Sequence, residues 1–351
     1  MLRRRDLLIG ATGAALPFAS YATARSTVSV IGCCRFTNGA YAVALVDPLL
    51  RLAAAFELPE RGHAIAVAPA GDKAVVIARR PGRTASVIDL REPRIVATLH
   101  SAAGRHFFGH GFFSADGERF FATENDYDNA VGTIGVYDVA AGFRRTTEWS
   151  TGGVGTHEAM LLRDQRTMAV ANGGIETHPD FPREKLNLAS MRSSVAYLSV
   201  DNGELLDVVE RPAAFPSLSL RHLTQTNDGA VWIGAQHEDT GPAPLVFRHR
   251  RGEALAPVLS AEASAELKGY VGDIGLDSRT GTVVVSSPRG NRLVHLDVVS
   301  GAQISSVALN DVCGVSEGDR LLVSTGDGLL SDVRREQRRF DFSWDNHLVV
   351  F

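Results

Sequence analysis

The sequence predicts an all-β protein, a seven-bladed β-propeller closed by pairing of its N- and C-terminal segments. Three observations predict it. A unit of four short strands recurs along the chain at intervals near the 40–50 residues expected of propeller blades. The strands themselves are short apolar runs with β-branched enrichment, cut by Gly, Asp, Asn and Pro turns, with no helical periodicity. The two ends of the chain read as incomplete blades that complement each other.

The elements follow in order. Val28 to Gly32, Tyr41 to Asp47 and Leu52 to Leu58 read as the second, third and fourth strands of a first blade that lacks its own first strand. Blade two is complete: Gly62 to Pro69, a turn at Ala70–Lys73, then Ala74 to Ala78, Ala85 to Asp89 and Arg94 to Leu99. Blade three opens with Gly109-His110-Gly111-Phe112-Phe113, turns at Ala115-Asp116-Gly117, and continues through Phe120 to Thr123 and Gly132 to Asp138. Blade four opens at Thr156-His157-Glu158 and runs on through Met168 to Ala171 and Val195 to Asp201. Blade five opens at Arg221-His222-Leu223-Thr224, turns at Asn227-Asp228-Gly229, and continues through Val231 to Gly234 and Leu245 to Phe247. Blade six opens at Gly272-Asp273, and blade seven at Val312-Cys313-Gly314. Asn346 to Val350 then supplies the strand that blade one lacks. Pairing the two ends removes the open edges that a sheet protein must otherwise protect. The 351 residues, less a leader of 24, leave 327 for seven units of roughly 47 each.

That leader reads as an export signal. Arg3-Arg4-Arg5 forms a charged start, Leu7 to Ala22 is small and apolar, and Ala22-Thr23-Ala24 offers a small-x-small cleavage site. The apolar run is too short to span a membrane well, and Arg4-Arg5-Asp6-Leu7-Leu8 resembles the twin-arginine motif of proteins exported already folded, with a general secretory signal as the alternative. The expectation is a cleaved signal over residues 1–24, a single propeller domain over 25–351, and a periplasmic location with no membrane span after cleavage. Cleavage removes three Arg and one Asp, a net +2, and takes the formal charge from −4 to −6. An acidic chain without a basic run is not built for nucleic acid. Cys33 and Cys34 are adjacent and Cys313 is distant. Such a set reads as small buried hydrophobes, with a link from Cys313 to Cys33 or Cys34, or a metal-ligating thiol, as alternatives.

Superposing the units gives the most informative pattern. In blade order one to seven, His347, His63, His110, His157, His222, Asp273 and Cys313 fall at one equivalent position, at the start of the strand that lines a propeller's channel. With 11 His in 351 residues, chance puts fewer than one at seven chosen positions; five of the seven carry one, in consecutive blades. Imidazole, carboxylate and thiol are the main protein ligands of transition metals, and imidazoles on a rigid ring suit Cu, Zn or Fe. The competing reading is a strut: a Gly-His pair whose imidazole bonds the neighbouring backbone and binds nothing.

The loops after the second strands enrich the same mouth. They carry Glu124, Asn125 and Asp126; Asn172, Glu176 and His178; and Gln236 and His237. Glu124, Glu158, Glu176, His178 and His237 are candidates to complete a metal shell or to act as acid and base. Arg35, Arg79, Arg80 and Arg289 occupy corresponding loops of other blades. The long segment from Gly173 to Arg192 is a candidate lid. His100, His249 and His295 fall on outer strands or their ends and read as surface or packing residues. The sequence has no phosphate-cradling glycine loop and no haem-attachment motif.

Several stretches are distinctive. They are Gly109 to Gly117, Thr123 to Tyr127, Gly155 to Glu158, Ala171 to Pro179, Ser219 to Leu223 and Trp344 to His347. Together they resemble a bacterial exported family catalogued as a domain of unknown function, over nearly the whole mature chain. The resemblance implies a propeller fold and a twin-arginine-type signal. It also implies a gene neighbourhood with imelysin-like periplasmic proteins and a di-haem oxidoreductase, hence a role in iron acquisition with such imelysin-like or haem protein partners. It carries over no catalytic residue.

Three functions follow as expectations. The first is a periplasmic propeller binding iron or copper through His63, His110, His157, His222 and His347, with Asp273, Cys313, His178 and His237 next. The second is an enzyme of lactonase or quinoprotein type, turning over a small anion steered by the arginines. The third is a docking scaffold with no small ligand.

Overall fold

The computed structural model describes residues 28–181, 184–332 and 336–351. The predicted export signal lies outside the described residues. Seven four-stranded antiparallel sheets form the blades of a ring. The sheet of blade one is built from both ends: Phe342–Val350 pairs with Val30–Phe36, which continues to Tyr41–Val46 and Leu52–Glu57. Val30 lies opposite Val350 and Gly32 opposite Leu348, so the C-terminal strand is the first strand of blade one, as the complementary ends required.

In blade one, two strands run well beyond expectation. The second strand of blade one runs past Gly32, through Cys33 and Cys34, to Phe36. The closing strand begins at Phe342 rather than Asn346. Aromatic packing accounts for both: Phe342 meets Phe36 at 6.0 Å between ring centroids and Trp344 at 4.8 Å, which extends the paired edge. Blade seven also has third and fourth strands, Leu329–Asp332 and Gln337–Arg339, that carry no apolar pattern to reveal them.

The first strands of the other blades are Gly62–Val67, Arg105–Phe113, Thr156–Leu161, Leu218–Gln225, Asp273–Asp277 and Val312–Val315. Second strands such as Thr167–Asn172, Val231–His237 and Thr282–Ser287 are buried at every position. Fourth strands such as Leu205–Glu210 alternate or face solvent. The gradient follows from where the apolar cores lie. Each of six clusters straddles neighbouring blades; one joins Val75 and Ile77 of blade two to Phe107 and Phe120 of blade three. A strand packed on both faces reads as a continuous apolar run, which is how these second strands look in sequence.

Turns between first and second strands use acidic side chains. Asp116 accepts from Ser114 Oγ and from the Glu118 N–H, at 2.5 and 2.9 Å, and Gly117 beside it takes a φ of 73°. Asp228 repeats the pattern with Thr226 and Ala230. Two short 3-10 turns, Leu188–Ser190 and Ala263–Leu267, complete the described chain, and among the described residues no helix is long and apolar enough to cross a membrane.

Candidate metal centre

The pairing of first with second strands is irregular at the equivalent position in most blades. The register shifts between Gly62 and Ile65, between Phe107 and Gly111, between Thr156 and Glu158, between Leu220 and His222, and between Val312 and Val315. In blade one the shift falls between Gly32 and Cys34, opposite Trp344 to Leu348. His63, His110, His157, His222, Cys313 and His347 therefore all sit at bulges, where an extra residue re-aims a side chain. Asp273 sits in regular pairing.

The bulges turn five imidazoles onto one another. His63, His110, His157, His222 and His347 are all buried, as is Asp273. Ring centroids stand 5.0 Å apart for His63–His110, 4.7 Å for His110–His347, 4.6 Å for His63–His347, 4.8 Å for His157–His222 and 4.9 Å for His222–His347. Three overlapping sets have ligand atoms within 4.8 Å of one another: His63/His110/His347, His110/His157/His222 and His222/Asp273/His347. At about 2.0–2.1 Å from one ion, tetrahedral ligands stand roughly 3.4 Å apart, so closing a set draws the rings inward by up to about 1 Å.

The two sides of these rings differ. Nδ1 atoms face carboxylates: His222 to Glu158 at 3.0 Å, His110 to the same Glu158 at 3.6 Å, His347 to Asp273 at 3.2 Å and His63 to Asp345 at 3.6 Å. The Nε2 atoms of His110, His157 and His347 are buried with no hydrogen-bond partner, whereas in His63 the unpartnered nitrogen is Nδ1. A strut would spend these nitrogens on backbone. A carboxylate on one side and a free Nε2 on the other is the usual arrangement of a metal-binding histidine. Burial, with the other imidazoles beside them, holds His63, His110, His157 and His222 well below the ordinary imidazole range, so they are neutral and carry lone pairs. Burial raises the Glu158 carboxyl well above its usual range, with Asp273 and Glu317 adding to the effect.

The remaining predicted residues lie elsewhere. Cys313 Sγ points at the Asp345 carbonyl oxygen, 3.2 Å away; Cys33, Cys34 and Cys313 are free and buried, and burial pushes Cys34 and Cys313 up to about 12. Glu124 is fully buried, bonded by Tyr137 Oη at 2.5 Å and Arg145 Nη2 at 2.6 Å. Asn125 is buried with both amide atoms unpartnered, and Asp126 caps Asn129 and pairs with Arg105. Asn172 is bonded to Thr151, Thr156 and Ser194. Glu176 is half-buried on the long loop, where Asn187 holds its N–H. His178 packs on Tyr127 at 4.8 Å, and His237 Nδ1 bonds the Gly241 carbonyl at 3.0 Å. His249, expected on an outer strand, is a buried packing residue between Tyr197 and Glu253.

Gln236 and Arg289 line a cavity of about 530 Å³ together with Arg35, Arg79 and Arg80, and Lys185 of the long loop reaches it too. Arg61, Arg221, Tyr270 and Asp345 line it as well and were not singled out from the sequence. A signal for two of them was present: Arg61 and Asp345 stand two residues ahead of His63 and His347, the offset that shares a side of an extended strand. Asp345 joins the two regions, with Arg61 Nε at 2.5 Å from one oxygen and His63 Nδ1 at 3.6 Å from the other. Gly314 to Gly318 has Gly-x-Ser-x-Gly spacing, but Ser316 is buried, bonds the Arg320 carbonyl and leads into a strand, not the helix of a nucleophile elbow.

Fold and site together define a seven-bladed β-propeller with a histidine cluster where its first strands converge. The chain belongs to the family described as "Protein of unknown function (DUF1513)", whose model matches residues 56–351. No curated protein matches it. Among solved structures it is similar to a chain of Kuenenia stuttgartiensis hydrazine synthase, at 14% identity over 81% of this chain and 86% of that one, with a TM-score of 0.61. At that identity the likeness concerns the fold alone.

Proposed function

We propose that this protein is an exported, periplasmic propeller that binds a transition metal, iron or copper, at its five-histidine cluster. The observation that carries the reading is the orphaned Nε2 of His110, His157 and His347, buried in one cluster, with the other nitrogens of His110 and His347 facing carboxylates. A buried polar atom without a partner costs about 1–3 kcal/mol, and a metal ion satisfies several at once. His110, His157 and His222 form the preferred set, because Glu158 faces Nδ1 of both His110 and His222 and fixes which nitrogen each presents. Asp273, His63 and His347 complete the neighbouring sets. Cys313 is left out of the ligand shell, since its thiol is raised by burial and turned to backbone oxygens.

Metal analysis tests the reading. Protein purified from the periplasm, and protein stripped and reloaded with copper or iron, should retain at least one ion per chain through gel filtration. His110→Ala and His222→Ala should lose it while keeping the strand signature by circular dichroism. Equal, near-zero metal in the wild type and both variants would overturn the proposal.

A further inference from the structure

The basic cavity beside the cluster has no part in holding a metal. Its lining carries Arg35, Arg61, Arg79, Arg80, Arg221 and Arg289, with Lys185 as a seventh cation, and two carboxylates, Asp311 and Asp345. Glu238 pairs with both Arg221 and Lys185, so three negative charges answer seven positive ones, an excess of four. The whole chain carries a net charge of −4, so this excess is a local concentration and not a reflection of composition.

Three of the cations without an ion pair to a described carboxylate are held by aromatic rings. Arg35 lies over Tyr41 at 5.8 Å, Arg80 over Phe108 at 5.2 Å and Arg289 over Tyr270 at 5.0 Å. A ring fixes the guanidinium plane and leaves N–H groups for bidentate contact with an oxyanion, Arg35 giving only its Nε N–H to the Gly39 carbonyl at 3.4 Å. Burial, then the neighbouring Arg221 and Arg79 guanidinia, push Arg80 down to about 9.

We propose that this mouth is a binding pocket for a small polyanion, a molecule with two or more carboxylate or phosphate groups. The concavity and the volume of about 530 Å³ fit a compact molecule rather than a polymer. An excess of four charges is matched poorly by a monoanion. The inference stands whether or not the histidine cluster holds an ion, because none of the seven cations is a metal ligand.

Isothermal titration of stripped, metal-free protein with citrate and with pyrophosphate tests it, with acetate as the monoanion control. At least one polyanion should bind about tenfold or more tightly than acetate, more weakly as salt is raised, and the tighter of the two identifies the class. Arg79→Gln with Arg289→Gln, both exposed positions, should weaken that binding about tenfold with the fold unchanged by circular dichroism. Neither polyanion binding better than acetate, or undiminished binding to the double variant, would overturn the proposal. So would binding seen only after metal loading, which would put the anion on the ion and not on the arginines.

Discussion

Gly109 shows how closely single residues set the cluster. Its φ is 112°, a conformation that side chains other than hydrogen rarely adopt, and a Cβ there would lie 2.6 Å from Cδ2 of His63. The glycine does two things: it lets the bulge of blade three form, and it leaves room for the imidazole of blade two to lie against His110. Gly109→Ala should therefore cost about 1–3 kcal/mol through backbone strain and displace the His63 ring as well. The check is a denaturant titration alongside metal content. A variant as stable as wild type, with unchanged metal, would show that neither the conformation nor the contact matters. By contrast, the carboxylates around the rings are set by partners from other blades: Glu158 of blade four meets His222 of blade five, and Asp273 of blade six meets His347 of blade one.

At the scale of elements, charge ties blade three together across its strands. Glu148 on the fourth strand (Arg144–Ser150) accepts from Arg105 at the start of the first, at 2.7 and 2.9 Å, and from Arg145 at 2.6 Å; Arg145 also holds the buried Glu124 of the second strand. Arg105 first, then Arg145, holds the Glu148 carboxyl down to about 2 from its ordinary 4.5. A depressed folded-state value means stability that is present above about 4.5 and is lost as pH falls toward about 2. Glu148→Gln should flatten the acid limb of the stability curve within that window, measured by thermal melts from neutral to low pH, and a wild-type-like limb would remove Glu148 from the account. In sequence, Glu124 and its neighbours stand in a polar stretch after a second strand and look like loop chemistry. Their partners, Tyr137 and Arg145, come from later strands of the same sheet, and no spacing rule announces a bond across three strands. The histidine ring was legible for the opposite reason, since the blades repeat and superposition lines up His63, His110, His157, His222 and His347 without any contact being known. What superposition does not reveal is the bulge at each position, which decides that the rings turn toward each other. Nor does it reveal Asp345, whose contact with Arg61 and His63 exists only once the C-terminal strand has closed blade one.

For the whole molecule, that closure and the cluster are one arrangement. The five imidazoles come from the first strands of five consecutive blades, and His347 lies on the C-terminal strand that completes blade one against the N-terminal segment. A metal held by His110, His157 and His222 would join blades three to five, and one in a set that includes His347 would also tie the closing strand to its neighbours. Ligand that binds the folded state alone stabilises it by mass action, about 2.7 kcal/mol at a hundredfold excess over Kd. Without metal, the same centre keeps buried imidazole nitrogens that lack partners, each costing about 1–3 kcal/mol. On the proposed reading, the metal-free ring is held short of its best stability by these unpartnered groups. Adding the bound metal should raise Tm by several degrees, a chelator should reverse the rise, and His222→Ala should abolish the metal-dependent shift whatever it does to the metal-free Tm. Superimposable melts of stripped and metal-loaded wild type would separate the cluster from ring closure and remove the stabilising role argued here.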